Sequence, residues 1–224
     1  MEFENFLSYL FRFIHFFAGV TWIGILYYFN FVQTEFFKET EASVKSAAIS
    51  KLVPRALWWF RYGALVTFLS GLALAGFLGA AINSYLLIGM LLGTIMFLNV
   101  WLIIWPNQQI VIASTNKVLE GGEADPAAAG ALGKAGLASR TNTLFSLPML
   151  FFMGASAHLS GLGRIPMSSE AGVSSLAMIL TVVIILGLAG NGIKGKTGPM
   201  TSVVGVIHCG LGLGAVLLLI MEML

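Results

Sequence analysis

Residues 6–32 read FLSYLFRFIHFFAGVTWIGILYYFNFV, a long apolar stretch in which Arg12 is the one charged side chain. A helix that crosses a bilayer needs about 20 predominantly apolar residues. This stretch therefore predicts a transmembrane helix. How often such stretches recur along the chain decides its fold class.

Five further stretches have the length and apolar composition of a span. They cover residues 57–80, 85–105, 142–162, 173–189 and 201–223. The whole chain is 58% hydrophobic and 10% charged, whereas soluble domains carry about 25% charged residues. We predict an all-α, polytopic membrane bundle of about six transmembrane helices that forms one domain over residues 1–224. The bilayer is its expected partner, and the net charge of +2 gives no indication of nucleic-acid binding.

The basic side chains accumulate on alternate connections between the predicted spans. One side has only Arg164, and the other has nine: Lys38, Lys45, Lys51, Arg55, Lys117, Lys134, Arg140, Lys194 and Lys196. Because cytoplasmic connections are enriched in Lys and Arg, both termini are predicted to face the periplasm of a bacterial inner membrane. The acidic start and long first apolar run favour a retained helix over a cleaved signal peptide.

Two connections have distinctive patterns. Residues 34–55 combine helical apolar spacing with charges, which predicts an interfacial amphipathic helix. Residues 117–140 are rich in Gly and Ala, and their GGEADP portion predicts a mobile break. Pro106 is predicted to open a cytoplasmic helix. Arg61, near the cytoplasmic end of its span, is expected to extend towards the headgroups.

The three histidines of the chain lie in three different predicted spans. A polar or ionisable side chain at that depth is costly, so it indicates function. A glycine lies one helical turn from each histidine, where a flat macrocycle needs missing side-chain volume. The pairs are His15 with Gly19, His158 with Gly154, and His208 with Gly205.

The predicted orientation converts these positions into depths. At about 1.5 Å per residue, His15 lies roughly 13 Å, His158 about 6 Å and His208 about 22 Å below the periplasmic edge. Imidazoles projecting inward from facing helices are the ligands of b-type haem. We therefore predict a haem b whose iron is bound by His15 and His158, with His208 as the alternative second ligand.

Two further residues lie on the face of His15. Arg12 is three residues earlier and is predicted to pair with a haem propionate. Trp22 is seven residues later and is predicted to pack on the macrocycle. No catalytic residue is assigned.

Simpler interpretations stay open. Glycines at this spacing commonly serve helix packing in membranes, and a single membrane histidine often hydrogen-bonds to a backbone carbonyl or a hydroxyl. Arg12 alternatively extends to the headgroups. A zinc or copper site is a further alternative, but carboxylates and thiolates near the histidines are lacking. The nearest candidate, Glu222, is at the far end of the last span, and Cys209 is interpreted as a small apolar residue.

Four motifs in the same order are similar to those of a known family. They are HFFAGVTWIGILYYF from His15, WWFRYGALVTFLSG from Trp58, NVWLIIWPNQQIVI from Asn99, and NTLFSLPMLFFMGASAH ending at His158. Together they resemble the membrane domain of the bacterial urate hydroxylase (PuuD) family over about residues 8–160. The resemblance implies a multi-helix inner-membrane redox protein with His15 and His158 at matching positions.

In that family, a C-terminal cytochrome c domain receives electrons from urate oxidation. This chain has one cysteine, Cys209, and hence no CxxCH haem-attachment motif. We expect a short form that lacks the cytochrome c domain and works as an electron-transfer subunit beside other membrane or periplasmic redox subunits, such as a cytochrome c. A homodimer is the alternative assembly. The alternative functions are a cofactor-free accessory or assembly subunit of a respiratory or oxygenase complex, and a purine-oxidising enzyme.

Overall fold

A computed structural model describes residues 2–159 and 173–224, and all regular structure within these ranges is helical. The predicted all-α class is therefore confirmed. The α-helices are α1 Glu2–Tyr27, α2 Thr34–Glu39, α3 Ala42–Lys51, α4 Val53–Leu78, α5 Ser84–Asn99, α6 Trp105–Leu119, α7 Ala128–His158, α8 Ser175–Lys194 and α9 Val203–Met223.

Two π-helical segments join consecutive α-helices into longer rods. Tyr28–Gln33 connects α1 to α2, and Val100–Ile104 connects α5 to α6. The resulting helices run over Glu2–Glu39 and Ser84–Leu119. Pro106 lies in the first turn of α6, as predicted. However, α6 continues the spanning helix and does not begin a separate one, so Pro106 lies inside the continuous helix Ser84–Leu119, directly after the π-helical turn Val100–Ile104.

The protein is an all-α, multi-pass membrane protein. Five described helices are long and apolar enough to cross a membrane: Glu2–Glu39, Val53–Ala81, Ser84–Leu119, Ser175–Lys194 and Val203–Met223. The predicted fourth span, residues 142–162, falls on the second half of α7 and continues past the described residues. α7 carries Lys134 and Arg140 and is not among the five. Six spans and periplasmic termini stay predictions.

The first compact unit comprises the described part of Met1–Leu78 together with Phe97–Ser139. Its core is an antiparallel pair formed by α1 and α4. Phe11 contacts Phe77 at one end, with ring centroids 5.9 Å apart, and Phe29 contacts Phe60 towards the other at 5.7 Å. Between them, a Cβ at position 63 would lie 3.2 Å from the Trp22 backbone nitrogen. Gly63 therefore permits the close approach of the two backbones.

The second compact unit comprises Gly79–Met96 and the described part of Arg140–Leu224. The second half of α7 forms its centre, because its polar side chains are almost fully enclosed: Thr141, Asn142, Thr143 and Ser146 are each at most 1% exposed. Asn142 Nδ2 donates to the Met96 carbonyl at 2.9 Å. Burial by neighbouring helices explains why this half of α7 tolerates polar residues. The single domain predicted for residues 1–224 stays a prediction.

The two connections also form local structure. Residues 34–55 contain two helices, α2 and α3, where one was predicted, because the backbone is extended at Thr40. Their place at the membrane interface stays a prediction. Residues 120–127 separate α6 from α7 and contain GGEADP, so the predicted break is confirmed. Gly121 has φ +86°, a conformation that side chains disfavour. Arg164, used in the charge comparison above, lies outside the described residues.

Candidate functional site

His15 is the predicted ligand with the most specific surroundings. It lies on α1, is half-buried, and faces one turn of α4. Its Nδ1 is 2.8 Å from the backbone carbonyl oxygen of Thr67 and 3.2 Å from Oγ of Ser70. The antiparallel packing of α1 on α4 positions all three groups.

These contacts define the protonation of the imidazole. A carbonyl oxygen only accepts hydrogen bonds, so Nδ1 of His15 carries the proton and donates it to Thr67. The Ser70 hydroxyl donates to the Val66 carbonyl at 2.6 Å, which leaves its oxygen free to accept from Nδ1 as well. In the neutral ring, Nε2 then holds a lone pair. Metal-binding histidines usually donate their other N–H to a carbonyl or carboxylate in this way.

The glycine that makes room for this imidazole is Gly71 on α4. A Cβ at position 71 would lie 3.0 Å from Cε1 and 3.4 Å from Nδ1 of His15. Gly19, which the sequence placed beside His15, makes no comparable contact, because a Cβ there would lie 3.9 Å from Cγ2 of Thr67. The close packing therefore comes from the neighbouring helix and not from the helix of His15 itself.

The other two residues predicted on this face differ in exposure. Trp22 is 2% exposed, and its indole Nε1 is buried without a hydrogen-bond partner within the described residues. Arg12 is exposed. Their proposed contacts with a macrocycle and a propionate stay predictions.

The other two histidines lie in the second unit and are both exposed. His158 is the last residue of α7, and a Cβ on Gly154 would meet nothing within 4 Å. His208 on α9 has Nδ1 2.8 Å from the Val204 carbonyl one turn earlier in the same helix. The pairing of His15 with His158 or His208 therefore stays a prediction.

Gly205 has a local role that the sequence did not indicate. A side chain at this first turn of α9 would collide with the backbone carbonyl of Pro199, in the 3₁₀ turn Gly198–Thr201 that precedes the helix. This turn therefore accounts for a glycine at position 205, three residues before His208. Across residues 2–159 and 173–224, no group of three or more His, Cys, Asp or Glu side chains is placed to hold a metal ion.

Sequence reasoning missed the α4 side of the site. Thr67, Ser70 and Gly71 belong to the TFLSG end of the motif that begins at Trp58. Small and hydroxyl-bearing residues in an otherwise apolar span were the available signal. These residues were not linked to His15 because it lies more than 50 residues away from them in sequence.

A second polar feature of the first unit is Arg61 on α4. Its guanidinium carbon lies 3.9 Å from the ring centroid of Trp105, 4.8 Å from that of Tyr62 and 5.2 Å from that of Trp101. The guanidinium therefore packs among three aromatic rings, and its expected extension to the headgroups stays a prediction.

Comparison with known proteins gives one match. The family model described as "Urate oxidase N-terminal" matches residues 75–188. This range contains the motifs that begin at Asn99 and Asn142, and it extends beyond residue 160 into α8, further than the motifs suggested. No curated protein and no solved structure matches the chain. Because the matched residues make up half of its length, the chain belongs to the urate oxidase N-terminal family.

Proposed function

We propose that this protein binds haem b and transfers electrons in the bacterial inner membrane, as a relative of the urate hydroxylase membrane domain. The observation that carries the proposal is the state of His15. Its Nδ1–H is held by the Thr67 carbonyl at 2.8 Å, so its Nε2 is left with the lone pair that an iron ligand requires.

The residues around His15 suit a haem ligand in three respects. In the neutral imidazole, the hydrogen bond to Thr67 keeps the proton on Nδ1, and the ring is oriented by two acceptors, Thr67 and Ser70. Gly71 lets the ring approach α4 closely. Trp22 offers a buried indole N–H that has no partner within the described residues. His15 would hold the iron, which when bound supplies reversible one-electron chemistry.

The second ligand would come from His158 or His208. Both are exposed on their helices, which leaves them accessible to a group bound at the protein surface. His158 is preferred because the orientation predicted from the charge distribution would put it, like His15, in the periplasmic half of the membrane. Arg12 would neutralise a propionate.

The electron carried by such a centre needs an acceptor. The sequence contains a single cysteine, so no c-type haem is attached to these residues. We propose that a separate membrane or periplasmic redox subunit, such as a cytochrome c, receives the electron. A homodimer is the competing assembly. Mild-detergent extraction followed by native gels and mass spectrometry distinguishes them, because a homodimer without any co-purifying redox protein would contradict the proposal.

Family membership favours one competing function, a purine-oxidising enzyme. A substrate site needs several convergent polar groups. The described residues place His15, Thr67 and Ser70 together, but the two α4 residues bond to Nδ1 of the imidazole, so the cluster offers a substrate little beyond Nε2. Urate consumption by the purified protein in the presence of an electron acceptor would favour this enzyme over an electron-transfer subunit.

Visible spectroscopy of the purified protein tests the haem directly. A Soret band with a sharp α-band on reduction is expected, and both are expected to disappear in His15→Ala. Phe16→Ala is the matched control, since Phe16 is adjacent in sequence and 74% exposed. Full haem content with an unchanged reduced spectrum in His15→Ala would contradict the ligand assignment. Absence of haem from the wild-type protein would favour the cofactor-free accessory subunit.

A further inference from the structure

Arg61 forms an unusual site near the start of α4. The guanidinium stacks on Trp105 at 3.9 Å and is flanked by Tyr62 and Trp101. Each such contact is an attraction between the positive charge and the face of an aromatic ring, and it forms no hydrogen bond. The stacking therefore orients the group without using its N–H donors, which radiate from its edges.

Those donors have no acceptor in the described part of the chain. No hydrogen bond or ion pair to Arg61 is formed there, and its Nε is buried without a partner. A guanidinium has five N–H donors and stays charged. Arg61 as a whole is half-buried, so its two terminal nitrogens keep access to the surroundings. A charged guanidinium that is held in position and has free N–H donors is suited to bidentate binding of an oxyanion.

The location of Arg61 indicates where that oxyanion comes from. Arg61 lies about 12 Å along the helix axis from Val53, at which α4 begins. Trp58 and Trp59, 49% and 56% exposed, lie between them, and exposed tryptophans at a helix end typically mark the headgroup level. Arg55 adds a second, exposed positive charge six residues before Arg61.

The π-helical turn of the neighbouring rod contributes to the site. Val100–Ile104 contains Trp101 and ends directly before Trp105. A π-helical turn inserts an extra residue and so changes the direction of the side chains around it, and such turns occur frequently at functional sites. Here both indoles meet Arg61, and Tyr62 also contacts Trp101 with ring centroids 6.0 Å apart.

We propose that Arg61, with Tyr62, Trp101 and Trp105, forms a binding site for the phosphate group of an anionic membrane phospholipid. The terminal guanidinium nitrogens bind the phosphate oxygens, and the three rings hold the guanidinium in position. Anionic lipids bind basic pockets between membrane helices in this manner. The proposal is independent of haem, because the site involves none of the residues around His15.

Lipid titration of the detergent-purified protein tests the site. Native mass spectrometry would count bound phosphatidylglycerol, phosphatidylcholine and inorganic phosphate at matched concentrations. We expect saturable binding of one phosphatidylglycerol, weakened about tenfold or more in Arg61→Gln, because hydrogen bonds to charged groups are worth about 1.5–3 kcal/mol. Arg55→Gln, which removes the same charge from the same helix, should change the affinity less than about twofold.

A second variant keeps the test decisive if Arg61→Gln does not fold. Arg61→Lys keeps the positive charge but loses the bidentate fork, so we expect weaker binding with an intact helical spectrum. Equal affinities in wild type, Arg61→Gln and Arg61→Lys would overturn the site, as would phosphatidylcholine binding as tightly as phosphatidylglycerol. Saturable binding of inorganic phosphate that Arg61→Gln abolishes would support the oxyanion chemistry but assign it to a soluble ligand.

Discussion

Nδ1 of His15 lies 2.8 Å from the carbonyl oxygen of Thr67, on the antiparallel neighbour of its own helix. This contact joins α1 to α4 and selects one tautomer of the imidazole. The protonated nitrogen faces the protein, and the nitrogen with the lone pair is left for another partner. The packing of two helices thereby prepares a side chain for ligation.

Replacing Gly71 by leucine should disturb His15 directly. A Cβ at this position already approaches Cε1 of His15 to 3.0 Å, so a larger side chain must push the ring away from Thr67. We expect a destabilisation of about 1–3 kcal/mol, together with loss or change of any haem spectrum. Thermal denaturation and visible spectroscopy measure the two effects.

Gly76→Leu is the matched control, because Gly76 lies on the same helix and a Cβ there meets nothing within 4 Å. This variant should keep the wild-type melting temperature and spectrum. Equal behaviour of the two variants would show that Gly71 does not position the imidazole.

Gly210→Ala should loosen the packing of α9 on α7. A Cβ at position 210 would lie 2.7 Å from Cδ1 of Leu147 and 3.0 Å from the Leu144 carbonyl oxygen. Since backbone cannot yield as a flexible side chain can, we expect a loss of about 1–3 kcal/mol. Gly212→Ala, which meets nothing within 4 Å, should be neutral or stabilising by up to about 1 kcal/mol. Denaturant titration in detergent compares them, and a stable Gly210→Ala would contradict the close approach.

Asn142→Ala should destabilise the second unit. Asn142 is fully buried and donates to the Met96 carbonyl at 2.9 Å. Its removal loses a buried hydrogen bond, at a cost of about 0.5–1.5 kcal/mol. Asn107→Ala is the same substitution at a half-buried residue whose Nδ2 bonds to Ile103 of its own helix, and it should cost less. A smaller loss in Asn142→Ala than in Asn107→Ala would be the contradicting result.

The predicted orientation is testable by labelling with a membrane-impermeant maleimide. Ser43→Cys on α3 and Ala81→Cys after α4 both place the thiol at an exposed residue, in a background with Cys209→Ser. In cells with a permeabilised outer membrane, position 81 should react and position 43 should react only after lysis. Labelling of position 43 before lysis would contradict the predicted orientation.

The membrane fold was predictable because span length and composition are local properties. Residues 6–32 and 201–223 were recognised from their apolar composition alone. The continuous helix Glu2–Glu39 contains the first range, and α9 covers all but the first two residues of the second. Composition alone describes the second half of α7 less well. Its Thr and Asn residues lower the hydropathy, and only enclosure by neighbouring helices makes them acceptable in the core.

The candidate site was predictable only in part, for the same physical reason. His15 stood out by itself because an imidazole in an apolar helix is costly. Its partners Thr67, Ser70 and Gly71 were not identified, because a contact between helices depends on their relative rotation and register. The sequence provided Gly19 at the right helical spacing, whereas the structure assigns the close contact to Gly71.

The sequence alone therefore determined the class of the protein, an all-α membrane bundle with histidines at costly positions. Bilayer thickness and the energetics of burying charge act on each segment separately. The composition of a segment is therefore enough to predict whether it spans the membrane. Tertiary structure alone decided which tautomer His15 adopts and that Arg61 packs against Trp105. Both depend on distances of a few ångströms between helices far apart in sequence, and these arise only when the side chains of both helices pack together.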